Sequence, residues 1–205
     1  GGAMYAPPTL HIPAAVYVLI ELGAPGTVDL DALLEGFLES AMAEGLVTDG
    51  LVAASAAQVG RIWALREAIN EGEARRGLFL ASDVSVGLAD LPAFVTETSA
   101  AIEAGIPGSL AVAFGHFGDG NVHLSVHPPA GLDPAGAEEA LYRAKQVLNA
   151  AVDAYRGSIS AEHGIGRLKL ADLDARLAGP TRALRAGLKQ MVDPEGRLNP
   201  GSLFP

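Results

Sequence analysis

Cysteine is absent from the chain. That excludes a disulfide framework, a thiolate metal site and a cysteine nucleophile. Any metal would need nitrogen and oxygen ligands. Basic residues are scarce: 14 lysines and arginines stand against 24 aspartates and glutamates, for a net charge of -10. This balance argues against nucleic acid as a partner, since phosphate binding needs a basic patch. Long apolar runs are missing too. The longest, Ala14 to Ile20, is far short of a membrane span. No dinucleotide fingerprint is present. Gly118-Asp119-Gly120 and Gly164-Ile165-Gly166 begin G-x-G-x-x-G, but His123 and Lys169 stand where the third glycine belongs. Neither a nucleophile elbow nor H-E-x-x-H occurs. The opening Gly1-Gly2-Ala3-Met4 has no basic region followed by a signal-type core. It reads as an added tail or a cut edge, and the chain as the C-terminal piece of a longer protein.

What is present is an ordinary globular composition. Hydrophobic residues make up 49% of 205, enough for a real core in a domain or a domain and a half. Residues 15–22 have the length and β-branched content of a buried strand. Thr27 or Asp29 then caps a helix to about Glu44, with Leu30, Leu33, Leu34, Phe37, Leu38 and Ala41 on its apolar face and Gly45 at its end. Leu46 to Ala54 is expected as a short strand broken at Asp49-Gly50. Ser55 opens a second helix to about Gly72, on which Arg66 and Asn70 are four apart and share a face. Residues 78–86 read as a strand. Asp90 and Pro92 start a third helix, which stops near Gly105. Asp133-Pro134 starts a long helix to about Tyr155, and residues 158–161 are a short strand or extended segment. Pro180 opens the last helix, and Asp193-Pro194-Glu195-Gly196 forms a turn. Strands, a hairpin and crossover helices in this order predict an α+β fold. Its expected form is a ferredoxin-like core, an antiparallel or mixed sheet covered by helices on one face.

The chemistry concentrates in Phe114 to His127, FGHFGDGNVHLSVH, which holds His116, His123 and His127. Asp119-Gly120 between apolar arms is a strong hairpin signal. With those two residues as the loop, His116 faces His123 with Cβ atoms about 5 Å apart. Both imidazoles could then converge on one metal ion. Ser125 and His127 share the face of His123 because side chains alternate along a strand. His11 and His127 are read as ordinary histidines. Glu162-His163, in the glycine-flanked SAEHGIG, reads either as a helix start capped by Ser160 or as a functional pair. In the second reading Glu162 is a third ligand and His163 a neighbouring base. Two histidines and a carboxylate with an open position form the pattern of a catalytic site, whereas a structural site is closed by four ligands. Arg66 is the best candidate for a carboxylate partner, through bidentate geometry. Arg61, Arg75, Arg76 and Arg167 compete with it.

Three motifs in order, GHFGDGNVHLSV, SAEHGIGRLK and DPEGRLNPGSLF, resemble the C-terminal domain of FAD-linked oxidases of the vanillyl-alcohol-oxidase type. The nearest branch looks like the D-lactate dehydrogenase, D-2-hydroxyglutarate dehydrogenase and glycolate oxidase D subunit group. The likeness covers nearly the whole chain, including IWALREAI and the DVSV strand. It implies that residues 1–205 are one substrate- and metal-binding domain, with FAD held mainly by an N-terminal domain outside the chain. It implies His116, His123 and Glu162 as ligands of Zn²⁺ or Mn²⁺, and His163 as the catalytic base. Arg66, Asn70 and Ser125 would contact the substrate, and Asn199 would lie near the flavin. The substrate would be a small 2-hydroxy acid whose C2 hydride goes to FAD. Further implied partners are an electron-acceptor protein or quinone and a second copy in a homodimer. The implied location is the cytoplasm or the membrane periphery. Relatives that use dicarboxylic acids often carry a lysine before the DVSV strand, where this chain has Leu80-Ala81-Ser82. Some also have asparagine at Ser125. Both departures leave lactate, glycolate or a bulkier hydroxy acid open. Two rival readings use the same residues: a metal-dependent hydrolase, and a metal-stabilised binding module without redox chemistry.

Overall fold

The computed structural model describes residues 14–202, so His11 lies outside the described residues. The chain divides into two compact units, Gly1–Arg75 and Arg76–Pro205.

Among the described residues of the first unit two helices form, α1 (Leu30–Ala43) and α2 (Ala56–Arg75). Asp29 caps α1 as expected, its Oδ1 accepting from the Ala32 N–H at 3.0 Å. Gly45 follows the helix in the left-handed conformation that ends it. Within the expected apolar face, Leu30, Leu34 and Leu38 are half-buried and Ala41 is buried, but Leu33 and Phe37 are exposed. The strand expected at 15–22 does not form: these residues are exposed and have no ladder partner among the described residues. Residues 46–54 are likewise irregular. A β-branched run becomes a strand only where a neighbouring backbone completes its hydrogen bonds. The second helix runs past Gly72 to Arg75.

In the second unit the elements are β1 (Val84–Ser85), α3 (Leu91–Gly105), β2 (Leu110–Phe114), β3 (Asn121–His127), α4 (Pro134–Ala154), α5 (Leu170–Arg176) and α6 (Gly179–Val192). The sheet is antiparallel with order β1-β3-β2. Ser158, just after α4, bridges Ser85 on the free side of β1. The order is therefore that of a ferredoxin-like β-α-β-β-α-β unit whose fourth strand has shrunk to one bridge. Asp133 caps α4 by accepting from the Gly136 N–H at 2.8 Å.

Only part of the expected strand 78–86 is regular. Leu80 pairs with Val126 and Val84 with Val122, in a single register. Between them the Ser82 hydroxyl donates to the Leu124 carbonyl at 2.6 Å and accepts from its N–H at 3.2 Å. A side chain thus takes the place of the main-chain ladder there. Val122, Leu124 and Val126 point from β3 into the core, against Phe94 and Ile102 of α3 and Ala144, Leu148 and Val152 of α4. Each large side chain buried there stabilises the fold by roughly 1.5–3 kcal/mol. The opposite parity of β3 carries Asn121, His123, Ser125 and His127.

After α6 the tail folds back around Asp193. Its carboxylate accepts from Lys189 Nζ and from the N–H groups of Arg197 (2.8 Å) and Leu198 (2.9 Å). The Lys189 hydrogen bond holds the Asp193 carboxyl below its ordinary value of 3.8; burial opposes this and the two amides add to it. A carboxyl depressed in the folded state stabilises above its unfolded pKa and loses that contribution as pH falls through the folded one. The tail is therefore expected to stay docked through neutral pH and to release only below the ordinary carboxylate range. Following the Leu198 amide shift against pH checks this, and a midpoint at or above 3.8 contradicts it.

Candidate metal and catalytic site

The hairpin positions the first histidines, with a loop longer than expected. Strand β2 ends at Phe114, and it is Phe114, not His116, that opposes His123. Residues 115–120 form the connection, with a short 3-10 turn over Phe117–Asp119. A two-residue Asp-Gly turn needs positive φ at both positions. Here only Gly120 is left-handed, at φ 72°. The His116 carbonyl instead accepts from the N–H groups of Asp119 (2.9 Å) and Asn121 (3.3 Å). His116 thereby leaves the ladder. The Phe114 ring packs on His123 at a centroid distance of 5.1 Å.

Gly115 is what allows the loop to close. A Cβ at that position would run into the Asn121 carbonyl, which is backbone and has little room to yield. Gly118, in the same loop, faces open space. Gly115→Ala is therefore expected to lower stability by about 1–3 kcal/mol, and Gly118→Ala by much less. Urea unfolding of the two variants checks the contrast.

His116 and Glu162 meet across 46 positions of chain: Nδ1 lies 2.9 Å from Oε1. The other carboxylate oxygen of Glu162 lies 3.7 Å from Nε2 of His123. Glu162 is thus set against both imidazoles, although they do not face each other. His163 follows, its ring 6.5 Å from that of His123 and nearly perpendicular to it. Ser160 does not start a helix; its hydroxyl donates to the His163 carbonyl. A cavity of about 200 Å³ adjoins the cluster, lined by Ser85, Asp119, Asn121, Ala161 and Glu162.

The turn that presents Glu162 and His163 is held by Asp83, a residue the sequence reading passed over. Its Oδ2 accepts from the N–H groups of Ala161 (3.1 Å), Glu162 (2.8 Å) and His163 (2.7 Å). Burial works to raise the Asp83 pKa, but the hydrogen bonds from His163, Glu162 and Ala161 and the charge of His163 outweigh it. The net shift is downward, so Asp83 is an anion. The available signal was an aspartate at the head of the alternating run Val84-Ser85-Val86, since aspartate is depleted in strands. Lys169 ties the segment down from the other side, donating to the Ile159 carbonyl at 2.6 Å. Asn121, expected only as a turn residue, is buried, and its side-chain amide atoms have no hydrogen-bond partner among the described residues.

These donors suit a divalent cation. Ligand atoms about 2.0–2.1 Å from a tetrahedral ion lie roughly 3.3 Å from one another. The two Glu162–histidine separations, 2.9 and 3.7 Å, bracket that spacing. Among the described residues the group of three whose ligand atoms all lie within 4.8 Å of one another is Asp83, His123 and Glu162, and His116 joins it through Glu162. Of the other expected site residues, Ser125 is buried two places along β3 on the side of His123. Asn199 lies in the tail in left-handed backbone, its carbonyl accepting from the Ser202 N–H. Arg66, half-buried, and Asn70, exposed, sit one turn apart on α2 in the first unit. His127 is buried against Phe79, with centroids 5.3 Å apart.

The chain matches the family described as FAD linked oxidases, C-terminal domain, over residues 7–203. It belongs to that family. As a member of the FAD-linked oxidases it is similar to D-2-hydroxyglutarate dehydrogenase of Xanthomonas citri pv. viticola. The two are 39% identical over 188 residues, which is 92% of this chain and 39% of that protein. The corresponding protein of Stutzerimonas stutzeri is 32% identical over 188 residues, 92% of this chain and 40% of that protein. The mitochondrial D-2-hydroxyglutarate dehydrogenase of Bos taurus is 34% identical over 189 residues, 92% of this chain and 34% of that protein. This FAD-linked oxidase domain thus spans well under half the length of these curated relatives. None of its helices, among the described residues, is long and apolar enough to cross a membrane.

Proposed function

We propose that this chain is the substrate- and metal-binding domain of a flavoprotein that oxidises a 2-hydroxy acid to a 2-oxo acid. The observation that carries the reading is the Glu162 carboxylate set against both His116 and His123, with His163 beside them, in a chain of the FAD-linked oxidase family. His116, His123 and Glu162 would hold Zn²⁺ or Mn²⁺. When bound, the cation would lower the pKa of a substrate hydroxyl, and FAD would supply a two-electron acceptor. His163, as neutral imidazole, takes the hydroxyl proton. The C2–H bond breaks, a carbonyl forms at C2, and the acid gives up one hydride and one proton in all.

Arg66 is the proposed bidentate partner of the substrate carboxylate, with Asn70 and Ser125 as further polar contacts and Asn199 beside the flavin. FAD would be held mainly by an N-terminal domain of a longer protein. That protein would pass its electrons to a protein or quinone acceptor, as a homodimer, in the cytoplasm or at a membrane periphery. The substrate is proposed only as a 2-hydroxy acid: lactate, glycolate or 2-hydroxyglutarate. The relatives' names favour the last. Against it, Leu80-Ala81-Ser82 supplies no cation for a second carboxylate, and the Ser82 hydroxyl is committed to Leu124.

Anaerobic addition of D- and L-2-hydroxy acids to the flavin-bearing protein tests the reading. Bleaching of the flavin band by one enantiomer is expected. Flavin that no hydroxy acid reduces, together with hydrolysis catalysed by this chain alone, would favour the metal-dependent hydrolase.

A further inference from the structure

The two oxygens of Asp83 face different groups. Oδ2 is taken up by the three N–H groups of Ala161, Glu162 and His163. Oδ1 is buried without a hydrogen-bond partner among the described residues, 3.9 Å from Nδ1 of His123. On the other side of the same ring, Nε2 faces Glu162 at 3.7 Å. A buried acceptor without a donor is costly, and a neutral imidazole carries one N–H on one of two nitrogens. With the proton on Nδ1, the ring can donate to Oδ1 after closing by about 1 Å. Its Nε2 lone pair then points to the side where Glu162 lies.

We propose that Asp83 is the positioning residue of the cluster. Through Oδ1 it holds His123 in the Nδ1–H tautomer, with Nε2 open to a cation. Through Oδ2 it fixes the turn that carries Glu162 and His163. One buried carboxylate therefore sets two ligands and the base relative to one another. This inference rests on reading the cluster as a cation site. The alternative arrangement makes Asp83 itself a ligand, since its carboxylate, His123 and Glu162 offer ligand atoms within 4.8 Å of one another.

The test uses this chain with Zn²⁺ and Mn²⁺ as probes. Calorimetric titration compares the wild type with Asp83→Asn and Glu162→Ala, and nitrogen NMR assigns the His123 ring in the Zn²⁺-bound wild type. A carboxamide has only one oxygen. If that oxygen keeps the three N–H groups, the new NH₂ faces His123 and drives its proton to Nε2. Asp83→Asn is therefore expected to bind Zn²⁺ about 10–100-fold more weakly, as for other groups that orient a ligand. The apo variant should show an Nε2–H tautomer, and the Zn²⁺-bound wild type an Nδ1–H with Nε2 ligated. Ligation through Nδ1 in the wild type would overturn the proposal, as would a folded Asp83→Asn of unchanged affinity. Should Asp83→Asn fail to fold, the wild-type ring assignment decides alone. Unchanged affinity in Asp83→Asn with loss in Glu162→Ala would sink this inference and spare the site. A wild type that binds neither metal would sink both.

Discussion

His163→Ala is expected to slow reduction of the flavin by substrate by about 10²–10⁴-fold, the usual contribution of a positioned general base. Metal affinity should hardly change. The reason is placement: Glu162 touches His116 and His123, while the His163 ring lies off to the side of His123. The hydrogen bond to Asp83 comes from the His163 backbone N–H, which truncation of the side chain leaves in place. Single-turnover flavin reduction and metal titration on one preparation separate the two effects. If metal affinity falls as far as the rate does, His163 is a ligand and not the base.

Glu162→Ala is expected to have the opposite signature. It removes the carboxylate shared by the two imidazoles and the only anionic ligand in the proposed set. Metal affinity should fall by more than the roughly 10–100-fold typical of a group that only orients a ligand, and turnover should fall with it. Stability without metal should hardly move. The Glu162 side chain is 47% exposed, and partly exposed ion pairs contribute about 0–1 kcal/mol. Glu162 is not a member of the buried core around Val84 and Val122. Unfolding curves of the apo proteins should therefore nearly superimpose. A large loss of apo stability would point to a structural role for the turn. Strong destabilisation of the wild type by a chelator would point instead to a metal-stabilised binding module.

Local signals were legible where one segment carries its own reason for folding. Asp29 and Asp133 cap the helices expected after them, and Pro92 and Pro134 sit in first turns. An antiparallel sheet with covering helices could be read, although the expected order also held strands at 15–22 and 46–54, which do not form. What could not be read depends on partners distant in the chain. Residues 15–22 have strand composition, but among the described residues nothing pairs with them. At Ser82 a hydroxyl replaces ladder bonds, which no periodicity reveals. The Asp119-Gly120 signal located the hairpin and missed its register, because Asp119 does not adopt positive φ. His116 reached Glu162 all the same, by leaving the ladder. Asp83 was hidden for the same reason as Ser82: its three donors lie 78–80 positions away.

X-ray absorption at the zinc edge of the Zn²⁺-bound chain tests the central claim most directly. The expected first shell is two imidazole nitrogens and one carboxylate oxygen about 2.0–2.1 Å from the ion, completed by water. That result would leave His163 as the base beside an open position. Three imidazoles in the shell would place His163 on the ion and contradict the account.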